Sequence, residues 1–267
     1  GAAAEANEPL PAALISKVSS SVDADAERLT SIFKDLHANP ELGFTEKRTA
    51  SILAQELKTL GFSVTEGIGQ TGVVGVLKNG PGPTVWYRAD MDANAVRETT
   101  GLPYVAKSKQ RLADGSEVDV MHACGHDAHV TWLLGLAKVM VGLKGEWSGT
   151  LVVYGQPAEE PGTGAQALVA DKLWERGFPK PDYAFGAHTA PGVPAPHALQ
   201  QRAHPGLRGK EGVAGLGSIG GAAGHRVAPG VGTSTDSALA VAMWAAGSSA
   251  RNPVSSSLPP SAQVIRI

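Results

Sequence analysis

Three short apolar runs, each closing on side chains able to hold a metal ion, constrain the fold of this 267-residue chain more than any other feature. Residues 84–87 run into Arg88-Ala89-Asp90-Met91-Asp92, residues 151–154 into Gln156-Pro157-Ala158-Glu159-Glu160, and residues 183–187 into His188. A fourth cluster, Met121-His122-Ala123-Cys124-Gly125-His126-Asp127, precedes the apolar run 130–143, and residues 128–143 read as a buried helix. In α/β folds, ligands gather at the carboxyl ends of strands. The alternation of strands and helices with short connections therefore predicts a three-layer α/β/α domain with its site at those ends.

The remaining segments fit that plan. Asp23 and Asp25 stand where an N-cap would start a helix reaching about His37, with Ile32, Phe33 and Leu36 on its apolar face. Residues 39–44 break it, and Thr45-Glu46 opens a second helix whose Ile52, Leu53, Leu57 and Leu60 recur at helical spacing, closed by Gly61. Residues 62–65, 73–77 and 84–87 read as strands, with Asn79-Gly80 as a hairpin turn between the last two. Residues 98–120 read as an irregular surface excursion, 151–154 as a central strand, and 164–174 as an amphipathic helix.

After residue 196 the texture changes, for residues 197–267 hold only two acidic residues, Glu211 and Asp236, among many Gly, Ala, Ser and Pro. Such a segment buries little apolar surface against its chain entropy. We expect a domain over residues 1–195 and a poorly structured remnant over 196–267, with one helical stretch at 237–246.

Composition narrows the partner. A formal charge of −2 with interspersed signs presents no basic face for nucleic acid or anionic lipid. No run approaches the roughly 20 apolar residues that cross a bilayer, so the expected partner is a small molecule, with no nucleic acid and no membrane. The opening Gly1-Ala2-Ala3-Ala4-Glu5 reads like the residue of a processed export signal, which predicts a periplasmic or secreted location, with a cytoplasmic one as the alternative. Cys124 is the single cysteine, so it forms no internal disulfide and is a buried thiol, a ligand or a nucleophile.

A thiolate and an imidazole two residues apart can converge on one zinc-like ion, which favours Cys124 and His126 as ligands. The rival reading makes Cys124 a nucleophile activated by His126 or His122, and leaves the glutamates and His188 without a task. His122 and His129 read as hydrogen-bonded structural histidines, and Asp92 as the cap of a turn.

Together the clusters around Asp90, Cys124, Glu159 and His188 resemble the amidohydrolase and carboxypeptidase branch of the M20 metallopeptidases, which includes hippurate and auxin-conjugate hydrolases. His37-Ala38-Asn39-Pro40-Glu41-Leu42, Gly69-Gln70-Thr71-Gly72-Val73 and Thr100-Gly101-Leu102-Pro103-Tyr104 match as well, and the likeness covers residues 28–192. The resemblance implies two divalent ions, zinc or manganese, held by Cys124, His126, Glu160 and His188. It also implies Glu159 as general base in hydrolysing an N-acyl amino acid or peptide-like amide. Adjacent glutamates at a strand end point in different directions, so Glu160 can hold metal while Glu159 faces the substrate. Asp90 or Asp127 would then steady a ligand imidazole from behind.

Members of the branch continue into a smaller α+β lid domain that mediates homodimerisation, then return to the catalytic domain with a last ligand histidine. Gly224-His225, Pro229, Asp236 and Arg251 echo the lid at altered spacing, and the return is not found in these 267 residues. The expectation is an incomplete catalytic domain followed by a degenerate lid fragment. A metal-binding remnant with impaired catalysis is the alternative outcome.

Overall fold

A computed structural model describes residues 11–189 and, for the backbone, the strand at 263–265. Helix α1 (Ala12–Ala38) begins eleven residues ahead of the expected start. Pro11 is its N-cap, and the Pro11 carbonyl accepts the N–H of Leu14 at 2.8 Å. Extension is favoured because Leu14, Val18 and Val22 carry the stripe of Leu29, Phe33 and Leu36 upstream at helical spacing; Val18 and Val22 bury against Val139. Asp25 is accordingly no cap. It sits buried in mid-helix, where Arg28 and Lys138 neutralise it, the latter at 2.6 Å.

Helix α2 (Lys47–Thr59) ends as the sequence predicts. Gly61 adopts φ +85°, and the N–H groups of Gly61 and Phe62 return to the carbonyls of Lys58 and Leu57, satisfying two otherwise orphaned acceptors.

Strands β1 (Ser63–Ile68), β2 (Gly72–Asn79) and β3 (Thr84–Asp90) follow. After the ribbon β4 (Lys109–Arg111) and β5 (Glu117–Asp119) come helix α3 (His126–Gly142), β6 (Gly149–Gln156), α4 (Gly164–Ala170) and β7 (Tyr183–Gly186). The main sheet has the order β1-β2-β6-β3-β7-β8, with β8 (Gln263–Ile265) antiparallel to β7. The hairpin expected at Asn79-Gly80 is therefore absent: β6 lies between β2 and β3, antiparallel to one and parallel to the other. Asn79 instead donates to the carbonyls of Lys144 and Trp147, so its side chain braces the approach to β6 rather than a two-residue turn. The true hairpin joins β1 to β2.

Helices α1, α2 and α3 cover one sheet face around Leu53, Leu57, Val85, Leu133, Leu151 and Val153. The opposite face buries Ile68, Trp86, Val152 and Tyr154 under Leu168 of α4 and Leu173. This is the three-layer arrangement the sequence predicts. Leu151, Val152 and Val153 are all wholly buried, and each such side chain contributes about 1.5–3 kcal/mol. Helix α4 stops four residues short of Trp174, because Lys172 turns to φ +57° and Asp171 holds the Gly69 N–H and Arg176.

Parallel alignment of β3, β6 and β7 brings their carboxyl ends together, with Asp90 opposite Gln156 and Arg88 opposite Gly186. Of the predicted 196–267 segment only 263–265 lies among the described residues, so its helix at 237–246 and the division at 195 fall outside them.

Candidate metal centre

The helix that follows the 121–125 loop starts two residues earlier than the expected residue 128, which makes His126 its first residue. Gly125 permits this with φ +81°, and a Cβ there would lie 2.6 Å from Thr189 Oγ1. Asn94 anchors the loop, exchanging backbone bonds with Met121 and accepting the Ala123 N–H at 3.2 Å.

His126 is the centre of the cluster. Its side chain is wholly buried, and neither ring nitrogen has a hydrogen-bond partner. Asp92 Oδ1 lies 3.4 Å from Nδ1, while Asp90 Oδ2, Glu160 Oε1 and Glu159 Oε2 lie 3.6, 3.7 and 3.8 Å from Nε2. Burial opposes charge on this ring, yet Asp90, Asp92 and Cys124 hold its pKa well above the ordinary histidine value.

Asp92 caps a turn, as its sequence position predicts, and the turn is the one that matters. Its two oxygens accept the N–H groups of Glu159 and Glu160, each at 2.9 Å. The preceding residue, Ala158, has φ +44°, a conformation costing about 1–2 kcal/mol outside glycine. The turn is thus strained and clamped, which fixes where both glutamates emerge.

His188 comes to the cluster from the end of β7. Its Nδ1 donates to the Thr189 carbonyl at 2.5 Å, and its Nε2 faces Cys124 Sγ at 3.5 Å. An imidazole oriented through its second nitrogen is the usual state of a ligand histidine. Burial raises the Cys124 thiol, but His126 and His188 outweigh it and bring the pKa below the ordinary thiol value.

Predicted ligands Cys124, His126 and Glu160 have donor atoms within 4.8 Å of one another, as do Asp90, His126, His129 and His188. His129, however, is engaged on both sides: Thr189 N–H donates to Nε2 at 2.9 Å, and Nδ1 donates to Asp90 at 2.5 Å. Burial pushes its pKa down to about 4, consistent with a neutral structural ring. Asp90 therefore steadies His129, and its other oxygen pairs with Arg88 at 2.9 Å and faces His126.

Asp127 does not back a predicted ligand. It turns away to His37 Nδ1 at 2.6 Å, and His37 Nε2 meets Glu98 at 3.1 Å. Burial disfavours the His37 charge, but the two carboxylates raise its pKa above the usual value. His122 sits beside this group with Nε2 unpartnered, and burial pushes its pKa down to about 4. Neither Glu98 nor Thr189 is a candidate from sequence, since both lie in segments without periodicity. His37 carried a signal, being polar on the face shared by Phe33 and Leu36.

The donor set fits a divalent ion. Four carboxylates surround a buried imidazole whose nitrogens bond to nothing in the protein, a state that an inserted cation would relieve on both counts. Thiolate, imidazole and carboxylate together suit zinc or manganese.

Comparison with known proteins places this chain in a family. The sequence pattern described as peptidase family M20/M25/M40 matches residues 86–258, well over half the chain. The chain belongs to that family. This M20 chain is 48% identical over 157 residues to a hippurate hydrolase of Campylobacter jejuni, covering 58% of itself and 38% of that protein. It is 39% identical over 186 residues to thermostable carboxypeptidase 2 of Saccharolobus solfataricus, covering 68% of itself and 44% of the relative. Among solved structures, the Bacillus subtilis YXEP protein, described as a dinuclear metal binding peptidase of the M20 family, matches at 30% identity and TM-score 0.56, over 67% of this chain and 48% of that one. The M20 chain thus spans about two fifths of the curated relatives it matches. The family match runs beyond the described residues into the 196–258 segment.

Proposed function

We propose that this protein hydrolyses an amide bond in an N-acyl amino acid or peptide-like substrate, using two divalent ions held by Cys124, His126, Glu160 and His188. The observation that carries the reading is His126: a wholly buried imidazole, unbonded at both nitrogens, facing four carboxylates and close to a thiol. Ions bound there would polarise the scissile carbonyl and lower the pKa of an attacking water.

Glu159 is the proton carrier in this reading. Burial raises its pKa above the ordinary glutamate value, and Asp90 adds to the effect, so the side chain is a better base than a solvated carboxylate. It takes a proton from the attacking water and passes it to the departing amine nitrogen. Glu160, the more exposed neighbour, serves as ligand, and the Asp92 clamp keeps the two roles apart. Asp90 and Thr189 hold His129 as a fixed wall behind His188.

The test is a zinc or manganese titration of the purified chain, followed by hydrolysis of N-benzoylglycine and related N-acyl amino acids. Two bound ions and turnover abolished by Glu159→Gln support the proposal. Binding without turnover supports the metal-binding remnant, and no binding refutes both.

A further inference from the structure

The turn carrying Glu159 and Glu160 is held from a second side by a residue outside the proposed ligand set. Glu46 is wholly buried and stands directly before α2, where a carboxylate would ordinarily serve the free amides at the helix's positive end. It makes no such bond. Glu41 takes that task, accepting the N–H groups of Arg48 at 3.0 Å and Thr49 at 2.8 Å. Glu46 is left to reach the turn: Oε1 accepts the Ala158 N–H at 2.8 Å, and Oε2 accepts the Thr71 hydroxyl. Ala158 is the strained residue immediately before Glu159. Gly43 adds an independent contact, for a Cβ there would stand 3.1 Å from Ala158 Cα and 3.3 Å from Pro161 Cγ. Residues 43–46 thus form a floor under residues 158–161.

We propose that Glu46 is a positioning residue for the hydrolytic centre, its bond to the Ala158 N–H setting the rotation of the turn that presents Glu159 and Glu160. This rests on the functional reading above. An apolar side chain would fill the same space without the cost of burying a carboxylate. A forked polar side chain bridges Ala158 to Thr71, which an apolar one cannot, and Asp92 holds just the next two amides.

Glu46→Ala and Glu46→Gln in the full chain test it. Glutamine keeps an acceptor for Ala158 and can donate its amide to the Thr71 oxygen. Three quantities are read: amide hydrogen exchange over residues 157–164 without metal, zinc affinity by calorimetry, and N-benzoylglycine hydrolysis. Glu46→Ala is expected to speed exchange at the turn and weaken zinc binding by about tenfold or more. It should also lower kcat by roughly 10–100-fold with KM little changed, the scale of an ångström misplacement. Glu46→Gln restores all three. Exchange and zinc affinity unchanged in Glu46→Ala would overturn the proposal. So would faster exchange spread across the whole domain with Glu46→Gln no better than Glu46→Ala, the mark of a plain core residue. A parent chain that neither binds zinc nor turns over defeats the hydrolase reading, while the exchange comparison still decides whether Glu46 sets the turn.

Discussion

Replacing His37 with alanine tests the buried charge network beside the site. The imidazole side chain is 7% exposed, Asp127 2% and Glu98 0%, so the substitution strands two carboxylates that water reaches poorly. Breaking one partner of such a group costs about 3–5 kcal/mol. For a folded region of this size each kcal/mol lowers Tm by about 2–4 °C, so the expected fall is roughly 6–20 °C. The sign of the pH dependence follows from the shifts. His37 is raised, so its contribution is complete below the unfolded value of about 6.5 and fades as pH climbs through the folded pKa. Asp127 and Glu98 are lowered despite burial, by the histidines for Asp127 and by Thr100, Ala106 and His37 for Glu98. Their contribution is present above about pH 4 and fades as pH falls through their folded values. The gap between parent and His37→Ala should therefore be widest from about pH 4 to 6.5. Urea unfolding in chelator, followed by the fluorescence of buried Trp86 and Trp147, measures it. Adding Glu98→Gln to the variant should recover part of the loss. A penalty under about 1 kcal/mol, or a gap that widens from pH 6 to pH 9, would refute the reasoning.

Three further outcomes follow. Glu159→Gln should lower kcat by about 10²–10⁴-fold while zinc affinity stays within about threefold, measured by kinetics and calorimetry on the same sample. Leu151→Ala, in the wholly buried middle of the sheet, should cost about 2–5 kcal/mol in urea unfolding. Chelation should lower Tm relative to zinc-saturated protein, by the equivalent of about 2.7 kcal/mol when zinc stands at a hundred times its Kd; equal melts would argue against a shared folded site.

Much of the fold was legible because apolar periodicity and turn residues carry it. Leu53 and Leu57 at helical spacing, Gly61 at the helix end and the continuous apolar 151–154 run each became the predicted element. Asn79-Gly80 misled because a local turn signal cannot report that β6, some 70 residues later, inserts between its flanking strands. Asp25 misled because a carboxylate that would suit a cap can also be neutralised in mid-helix by Arg28 and Lys138, the latter distant in sequence. The family resemblance named Cys124, His126, Glu160 and His188; the structure brings the first three within 4.8 Å of one another and sets His188 3.5 Å from Cys124. What holds them was not visible. Thr189 and Glu46 act through hydrogen bonds to partners 25 or more residues away, and no pattern in their own neighbourhood marks them.

X-ray absorption at the zinc edge of the loaded chain, with Cys124→Ser alongside, tests the metal centre most directly. The account predicts a sulfur neighbour at about 2.3 Å among nitrogen and oxygen neighbours at about 2.0–2.2 Å, with the sulfur shell lost in Cys124→Ser. A parent spectrum with nitrogen and oxygen alone, or a sulfur shell that survives the substitution, would contradict it.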